Sequence, residues 1–307
     1  MKLSIVIPVL NEEANLKVLY DSLKEVLEEF DSEIVFVDDG SSDSTFEILK
    51  ELHEIDEGVR VIRFRKNFGQ TSAIQAGIEF STGDVVVTMD SDLQNDPRDI
   101  PKLLKRIGEF DVVSGWRKDR KDSFLKKRVP SHISNFLARK LTGVEIHDFG
   151  CTLKAYEREA LQDLKLFGET HRYIPALVSW KGYSVGEVVV GHRERGGGKS
   201  KYGYKRLFKG FLDLINIKFL MSYSSRPLHF FGFLGLLQVF LGGIIGLYLV
   251  ILRLFYSQSI QNRPLLLLAI LLMVLGIQLI TMGFLSEIII RIYYTEEKPY
   301  KIREVLS

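Results

Sequence analysis

The chain has 307 residues, with 41 Lys and Arg against 39 Asp and Glu and a formal net charge of +2. That length allows one large domain or two smaller ones, and the near-neutral balance gives no support to a nucleic-acid partner. The single cysteine, Cys151, excludes an intrachain disulfide and fits a reducing compartment. The apolar run from Leu3 to Leu10 is short, contains Pro8 and is followed by Asn11, Glu12 and Glu13, so it does not have the form of a secretory signal.

The first 115 or so residues alternate strand and helix patterns. Leu3 to Val9 predicts a buried strand, and Asn11 opens a helix to about Glu29 with Leu16, Leu19, Leu23, Val26 and Leu27 on one face. Glu33 to Asp39 predicts a second strand, running into Asp38-Asp39-Gly40-Ser41-Ser42-Asp43, and Ser44 starts a helix to about His53. Val59 to Arg65 is a third strand, Asn67 to Gln70 a loop, and Thr71 to Phe80 a helix. The β-branched run Val85, Val86 and Val87 is a fourth strand, and Asp111 to Gly115 another. This order calls for a mostly parallel α/β sheet with helices on both faces. Ligands of such sheets bind beyond the carboxyl ends of the strands. The polar clusters PVLNEE, VDDGSSD, RKNFG and MDSDLQ all follow strand ends, so they are expected along one rim.

The cluster after the fourth strand is the centre of the chemistry. Asp90 and Asp92, at i and i+2 in extended backbone, point to one face. Both can converge on one hard cation, Mg²⁺ or Mn²⁺, with Gln94 beside them. A cation there would neutralise a departing diphosphate. The chain has neither GxGxxG after its first strand nor a Walker A sequence, which disfavours a dehydrogenase-type dinucleotide site. A nucleotide would instead be held by carboxylates on base and ribose, and Asp39 is placed for that. The Trp116-Arg117-Lys118 stretch and Lys126-Lys127-Arg128 supply cations suited to phosphate oxygens.

Taken together, SIVIPVLNEE, IVFVDDGSSDST, RKNFGQTSAIQAGI and VVVTMDSDLQNDP resemble, in order and spacing, the GT-A (Rossmann-like) domain of inverting family 2 glycosyltransferases. The closer resemblance is to the polyprenyl-phosphate glycosyltransferases, the group that includes dolichyl-phosphate mannose synthase, and it covers nearly the whole chain. It implies a nucleotide-sugar donor, a divalent metal and a nucleotide pocket lined by Pro8, Glu12, Asp39, Lys66 and the Asp90-Ser91-Asp92 run. It also implies phosphate contacts from Arg117 and Arg128, with Ser131 nearby. The stretch around His147 and Asp148 is similar to the segment that carries the family's candidate catalytic aspartate, here Asp148, grouped with Asp92 and Arg117 as catalytic. A polyprenyl phosphate is already ionised near neutral pH, so orienting the acceptor or binding metal competes with a base role for Asp148. His147 and Cys151 are expected to be structural, whereas His171, Arg172 and Tyr173 are placed to touch donor or acceptor, with packing the favoured role. Arg195, Gly198, Ser200 and Lys201 match a family loop suited to closing over the diphosphate.

The last third is different. Tyr204 to Tyr223 intersperses Lys205, Arg206, Lys209 and Lys218 among apolar residues, as in an amphipathic helix on an anionic membrane surface. Leu228 to Leu252 and Leu265 to about Glu287 are long enough to span a bilayer as a hairpin. Basic residues are denser before the first span and after the second than in the connection, which puts both termini in the cytoplasm. The expected organisation is a catalytic domain over 1–203, a membrane-surface region over 204–226, a two-helix hairpin over 227–291 and a cytoplasmic tail over 292–307.

The reading is thus an integral membrane transferase that moves a sugar from a UDP- or GDP-sugar to a polyprenyl phosphate, with UDP-glucose or a related UDP-hexose favoured over GDP-mannose. The rivals are a family 2 enzyme acting on another lipid or glycan acceptor, and a non-catalytic nucleotide-binding membrane scaffold. Polyprenyl length, Mg²⁺ against Mn²⁺ and the oligomeric state, homo-oligomer included, stay open.

Overall fold

The computed structural model describes residues 1–118, 129–162, 164–166, 168–193, 214–219, 221–223, 226–256 and 264–293. The chain divides into two units, Met1–Lys218 and Phe219–Ser307.

In the first unit, seven strands form one sheet in the order β3-β2-β1-β4-β6-β5-β7. They are β1 (Leu3–Val9), β2 (Ser32–Asp38), β3 (Val59–Arg63), β4 (Val85–Thr88), β5 (Val112–Trp116), β6 (Lys154–Glu157) and β7 (Val185–Val189). All pairings are parallel except those of β6, which runs antiparallel to both β4 and β5. Strand alternation explains the two-sided core. Leu3, Ile5, Ile7 and Val9 of β1 pack with Leu16, Leu19, Leu23 and Leu27 of α1 (Leu16–Leu27), and with Leu49 and Leu52 of α2 (Thr45–Ile55). The opposite face, with Val6 and Val37, receives α3 (Gln70–Phe80).

Gly77 makes that approach possible. A Cβ there would lie 2.2 Å from Val6 Cγ1 and 3.3 Å from Val37 Cγ2. Gly77→Ala is therefore expected to lower unfolding stability by about 1–3 kcal/mol through overpacking, read by denaturant melting of the solubilised protein. An unchanged midpoint would contradict the packing described here.

Two local departures from the sequence pattern have physical causes. The helix expected from Asn11 begins only at Leu16, because Asn11 takes the left-handed conformation (φ 55°) and the chain turns before the helix starts. From Arg158 to Trp180, where one or two helices are expected over Leu161 to Trp180, the chain forms α6 (Arg158–Leu161), a 3-10 turn at Thr170–Tyr173 and α7 (Ile174–Trp180). The strand β6 was not foreseen, since KAYE has no alternating pattern and its Lys154 is buried. Two short segments, the 3-10 turn Pro97–Asp99 and α4 (Ile100–Leu104), follow the acidic cluster, and α5 (Val129–Thr142) precedes Asp148.

The second unit contains α8 (Pro227–Tyr256) and α9 (Pro264–Tyr293), each of 30 residues. Both are long and apolar enough to cross a membrane. They pack through small residues: a Cβ on Gly235 would lie 2.5 Å from the Gly276 carbonyl oxygen, the close backbone approach favoured between helices in lipid. Phe233, Phe240, Leu254, Phe255, Leu267 and Ile289 point outward and are exposed. Of the expected amphipathic segment, 214–219 and 221–223 are helical, and 204–213 lies outside the described residues.

Candidate active site

The carboxyl ends of β1, β2, β4 and β5 supply one rim, and the antiparallel β6 brings the segment that precedes it to the same rim. The first two loops are stitched together. Asn11 Oδ1 accepts from Ser42 N at 2.8 Å, Glu12 N donates to Thr45 Oγ1 at 2.9 Å, and Ser91 Oγ donates to the Pro8 carbonyl at 3.1 Å. Glu12 itself accepts from Asn15 Nδ2 at 2.5 Å. Asp38 and Asp39 are both buried. Asp38 accepts from Ser41 N at 2.9 Å, and its other oxygen lies 3.4 Å from Arg63 Nε. Asp39 accepts from Phe68 N at 2.7 Å and Gly69 N at 2.9 Å, so it shapes the Asn67-Phe68-Gly69 loop while keeping lone pairs to spare. Gly40 lies between this turn and that loop at φ 74°; a Cβ would meet the Lys66 carbonyl carbon at 2.6 Å. Lys66 is exposed, with its Nζ 5.2 Å from the Phe68 ring centroid.

Asp90 and Asp92 sit just beyond β4, both partly buried. Leu93 is left-handed (φ 60°), a conformation that costs a leucine on the order of 1–2 kcal/mol and folds the acidic turn back on itself. Asp92 accepts from Gln94 N at 3.2 Å, and the Gln94 carbonyl accepts from Arg193 N at 2.9 Å. Gln70 Nε2, at the start of α3, donates to Asp90 Oδ1 at 2.7 Å. Burial, together with the nearby Asp92 charge, pushes the Asp90 carboxyl up to about 6, against the opposing pull of the Thr152 hydroxyl, Arg117 and Arg172.

Arg117 follows β5 and forms a two-pronged pair with Asp148: Nε to Oδ2 at 2.7 Å and Nη2 to Oδ1 at 3.1 Å. The two side chains are 9% and 4% exposed, so this is a buried fork of the kind guanidinium and carboxylate geometry favours. The preceding residues are paired as well. The rings of Trp116 and His147 stack at 4.2 Å and 16°, and His147 is held by Glu187 of β7. Below the pair lies Lys154, fully buried, donating to the carbonyls of Phe149 (3.1 Å) and Arg172 (3.4 Å). Burial lowers its amine to about 8. Cys151 is buried and burial raises its thiol, consistent with a packing role.

Of the residues singled out in the sequence, Asp90, Asp92, Arg117 and Asp148 thus share one electrostatic neighbourhood, and Pro8, Glu12, Asp39 and Ser91 adjoin it. Ser131 is on α5; Arg128, Arg195, Ser200 and Lys201 lie outside the described residues. Sequence reasoning missed Gln70, Thr152 and Lys154. Gln70 had the only available signal, its place at a helix start facing the acidic rim.

Residues 4–165 match the family described as Glycosyl transferase family 2. The chain belongs to that family. Along its whole length this family 2 glycosyltransferase is 40% identical to dodecaprenyl-phosphate galacturonate synthase of Rhizobium johnstonii, covering 94% of that protein. Over 94% of its length it is 38% identical to undecaprenyl-phosphate 4-deoxy-4-formamido-L-arabinose transferase of Pseudomonas aeruginosa, covering 85% of that enzyme. Among solved structures it is similar to glucosyl-3-phosphoglycerate synthase of Mycobacterium tuberculosis in complex with Mn²⁺, UDP-glucose and phosphoglyceric acid. There the TM-score is 0.56 at 22% identity, over 72% of this chain and 79% of the other, which establishes the fold.

Does the acidic turn of this glycosyltransferase suit a divalent metal? Among the described residues no three His, Cys, Asp or Glu side chains converge into a self-sufficient cage. The donor set is a carboxylate pair in which burial and then mutual repulsion raise Asp90. Mg²⁺ and Mn²⁺ accept such sites, because one or two carboxylates suffice when substrate phosphates complete the coordination. The residues fit a metal that arrives with a diphosphate.

Proposed function

We propose that this enzyme transfers a sugar from a nucleotide sugar to a polyprenyl phosphate, with inversion at the anomeric carbon. The observation that carries the reading is the close Asp90–Asp92 carboxylate pair beside the buried Arg117–Asp148 fork. The carboxylates would hold Mg²⁺ or Mn²⁺ with Gln94 beside them, and the ion would offset the charge of the leaving diphosphate. Arg117 presents its remaining donors to phosphate oxygens, joined by Arg128, Ser131 and the Arg195, Ser200 and Lys201 loop. Pro8, Glu12, Asp39, Lys66 and Ser91 line the nucleotide pocket.

The acceptor needs no base. A phosphate oxygen of the lipid attacks the anomeric carbon, the bond to the donor's β-phosphate breaks, and a nucleoside diphosphate leaves with the electron pair. The phosphate is ionised near neutral pH, so Asp148 acts by fixing Arg117. The names of the two relatives agree on a polyprenyl phosphate and differ in the sugar, which supports the acceptor more firmly than the donor. On the donor side a UDP-hexose such as UDP-glucose is favoured over GDP-mannose. The catalytic domain spans residues 1–203, followed by a membrane-surface region over 204–226, a spanning hairpin over 227–291 and a tail over 292–307, with both termini cytoplasmic.

The test is incubation of detergent-purified protein with Mg²⁺ or Mn²⁺, a short polyprenyl phosphate and a panel of UDP- and GDP-sugars, read by mass spectrometry of the lipid fraction. A polyprenyl-phosphate sugar that vanishes with EDTA is expected. Metal-dependent nucleotide binding with no lipid product would move the reading to a different lipid or glycan acceptor, and loss of both to a non-catalytic scaffold.

The Asp90 shift sets a pH dependence. Only the ionised carboxylate ligates, so Mn²⁺ binding should be level above pH 7 and about tenfold weaker per unit below about 6. In the metal-free protein the sign is opposite: a raised carboxyl favours the fold at low pH, and that contribution is lost as pH rises from about 4 to about 6. Titration calorimetry at pH 5 and 7.5 checks the first, and melting of the metal-free protein the second. A pH-independent Mn²⁺ affinity would remove Asp90 from the ligand set.

A further inference from the structure

The 3-10 turn Thr170–Tyr173 is fastened on every side but one. His171 is buried, and its Nδ1 lies 2.7 Å from Thr71 Oγ1, the residue after Gln70 on α3. Tyr173 packs its ring against Phe149 at 5.9 Å. The Arg172 carbonyl accepts from Lys154 Nζ, and Lys154 pairs across the sheet with Thr88, two residues before Asp90. These contacts place Arg172 between the start of α3, which bonds Asp90, and the end of β4, which carries it. Its side chain is partly buried. Among the described residues the guanidinium makes no hydrogen bond and no ion pair, although its charge acts on Asp90.

A partly buried guanidinium has five donors in a planar fork, and leaving them unsatisfied is costly. His171 and Tyr173 anchor the turn, so the fork is presented at the rim, where a ligand can replace the solvent on its donors. Packing cannot account for it either, because the packing of the turn is done by His171 and Tyr173. Asp90 cannot be its sole partner when that carboxylate is engaged with a cation. What remains is an oxyanion that arrives with the donor.

We propose that Arg172 is an oxyanion-binding residue of the donor site. This rests on the sugar-nucleotide reading above. Two parts of a donor carry that chemistry: the diphosphate, present in every nucleotide sugar, and a carboxylate on the sugar, present only in a uronic acid.

The experiment compares wild type, Arg172→Ala and Arg172→Lys with UDP-glucose, UDP-galactose, UDP-glucuronate and UDP-galacturonate as donors to undecaprenyl phosphate. Calorimetry with UDP and with UDP-glucuronate, each with Mn²⁺, runs alongside. Arg172→Ala is expected to lower kcat/KM through donor KM by about 10- to 100-fold, the range for a lost charge-assisted contact, with partial recovery in Arg172→Lys and an unchanged Tm. A loss confined to the uronates identifies the sugar carboxylate. An equal loss with all four donors, with weaker UDP binding, identifies the diphosphate. Unchanged donor KM and unchanged nucleotide binding overturn the proposal, as does a lowered Tm with donor KM intact. Absence of turnover in the wild type would overturn the transfer reading alone, and the calorimetry would still decide Arg172.

Discussion

Asp92→Ala is expected to reduce sugar transfer by a factor on the order of 10³ or more, since a bound cation contributes several kcal/mol to a transition state that develops charge on a leaving diphosphate. Burial is the first cause of the raised Asp90 carboxyl and the Asp92 charge the second. Removing Asp92 leaves that burial in place while halving the carboxylate donors, so the variant loses the cation and keeps its fold. Among the described residues Asp92 accepts one hydrogen bond, from Gln94 N at 3.2 Å, which limits the structural cost. Lipid-product mass spectrometry reads the activity, and membrane extraction with melting reads the fold. Near-normal turnover in this variant would remove the metal site from the mechanism.

The second large effect concerns Arg117 and Asp148. Arg117→Met should destabilise the first unit by about 3–5 kcal/mol, because it strands a buried carboxylate. The double variant Arg117→Met with Asp148→Leu should recover most of that stability, since two apolar side chains replace two charges in a buried site. Transfer should stay lost in both. Asp148→Asn separates the two roles open to the aspartate. An orienting role predicts a lowered Tm and a raised KM for the lipid phosphate, with a pH–rate profile of unaltered shape. A base role predicts loss of kcat at an intact Tm, which is the outcome that would refute the orienting role.

The sheet was legible wherever the chain obeys local rules. Leu3 to Val9 is read from its apolar run and observed without change, because a central parallel strand is apolar on both faces. The four polar clusters at strand ends fall on one rim because parallel strands all end there. The spans near 228–252 and 265–287 were visible from length alone, and each helix extends a few residues further. What was not legible was tertiary in origin. The strand β6 is four residues long, carries a buried lysine and runs against its neighbours, so no periodicity announces it. The pairing of Arg117 with Asp148 joins residues 31 apart in sequence, and only the reversed strand between β4 and β5 brings them together. The contrast between His171, buried on Thr71, and its neighbour Arg172 was likewise hidden in the single stretch HRY.

The reversed strand also has a consequence in time. Pairings among β1, β2 and β3 use the first 63 residues, and β4 joins them by residue 88. The pairing of Val85 with Glu157 must wait until β6 has been synthesised, and long-range pairing of this kind is slow to form. During synthesis at about 5–20 residues per second, the strands β1 to β4 and the acidic turn are therefore made before Asp148, so the fork that holds Arg117 is among the last parts of this rim to assemble.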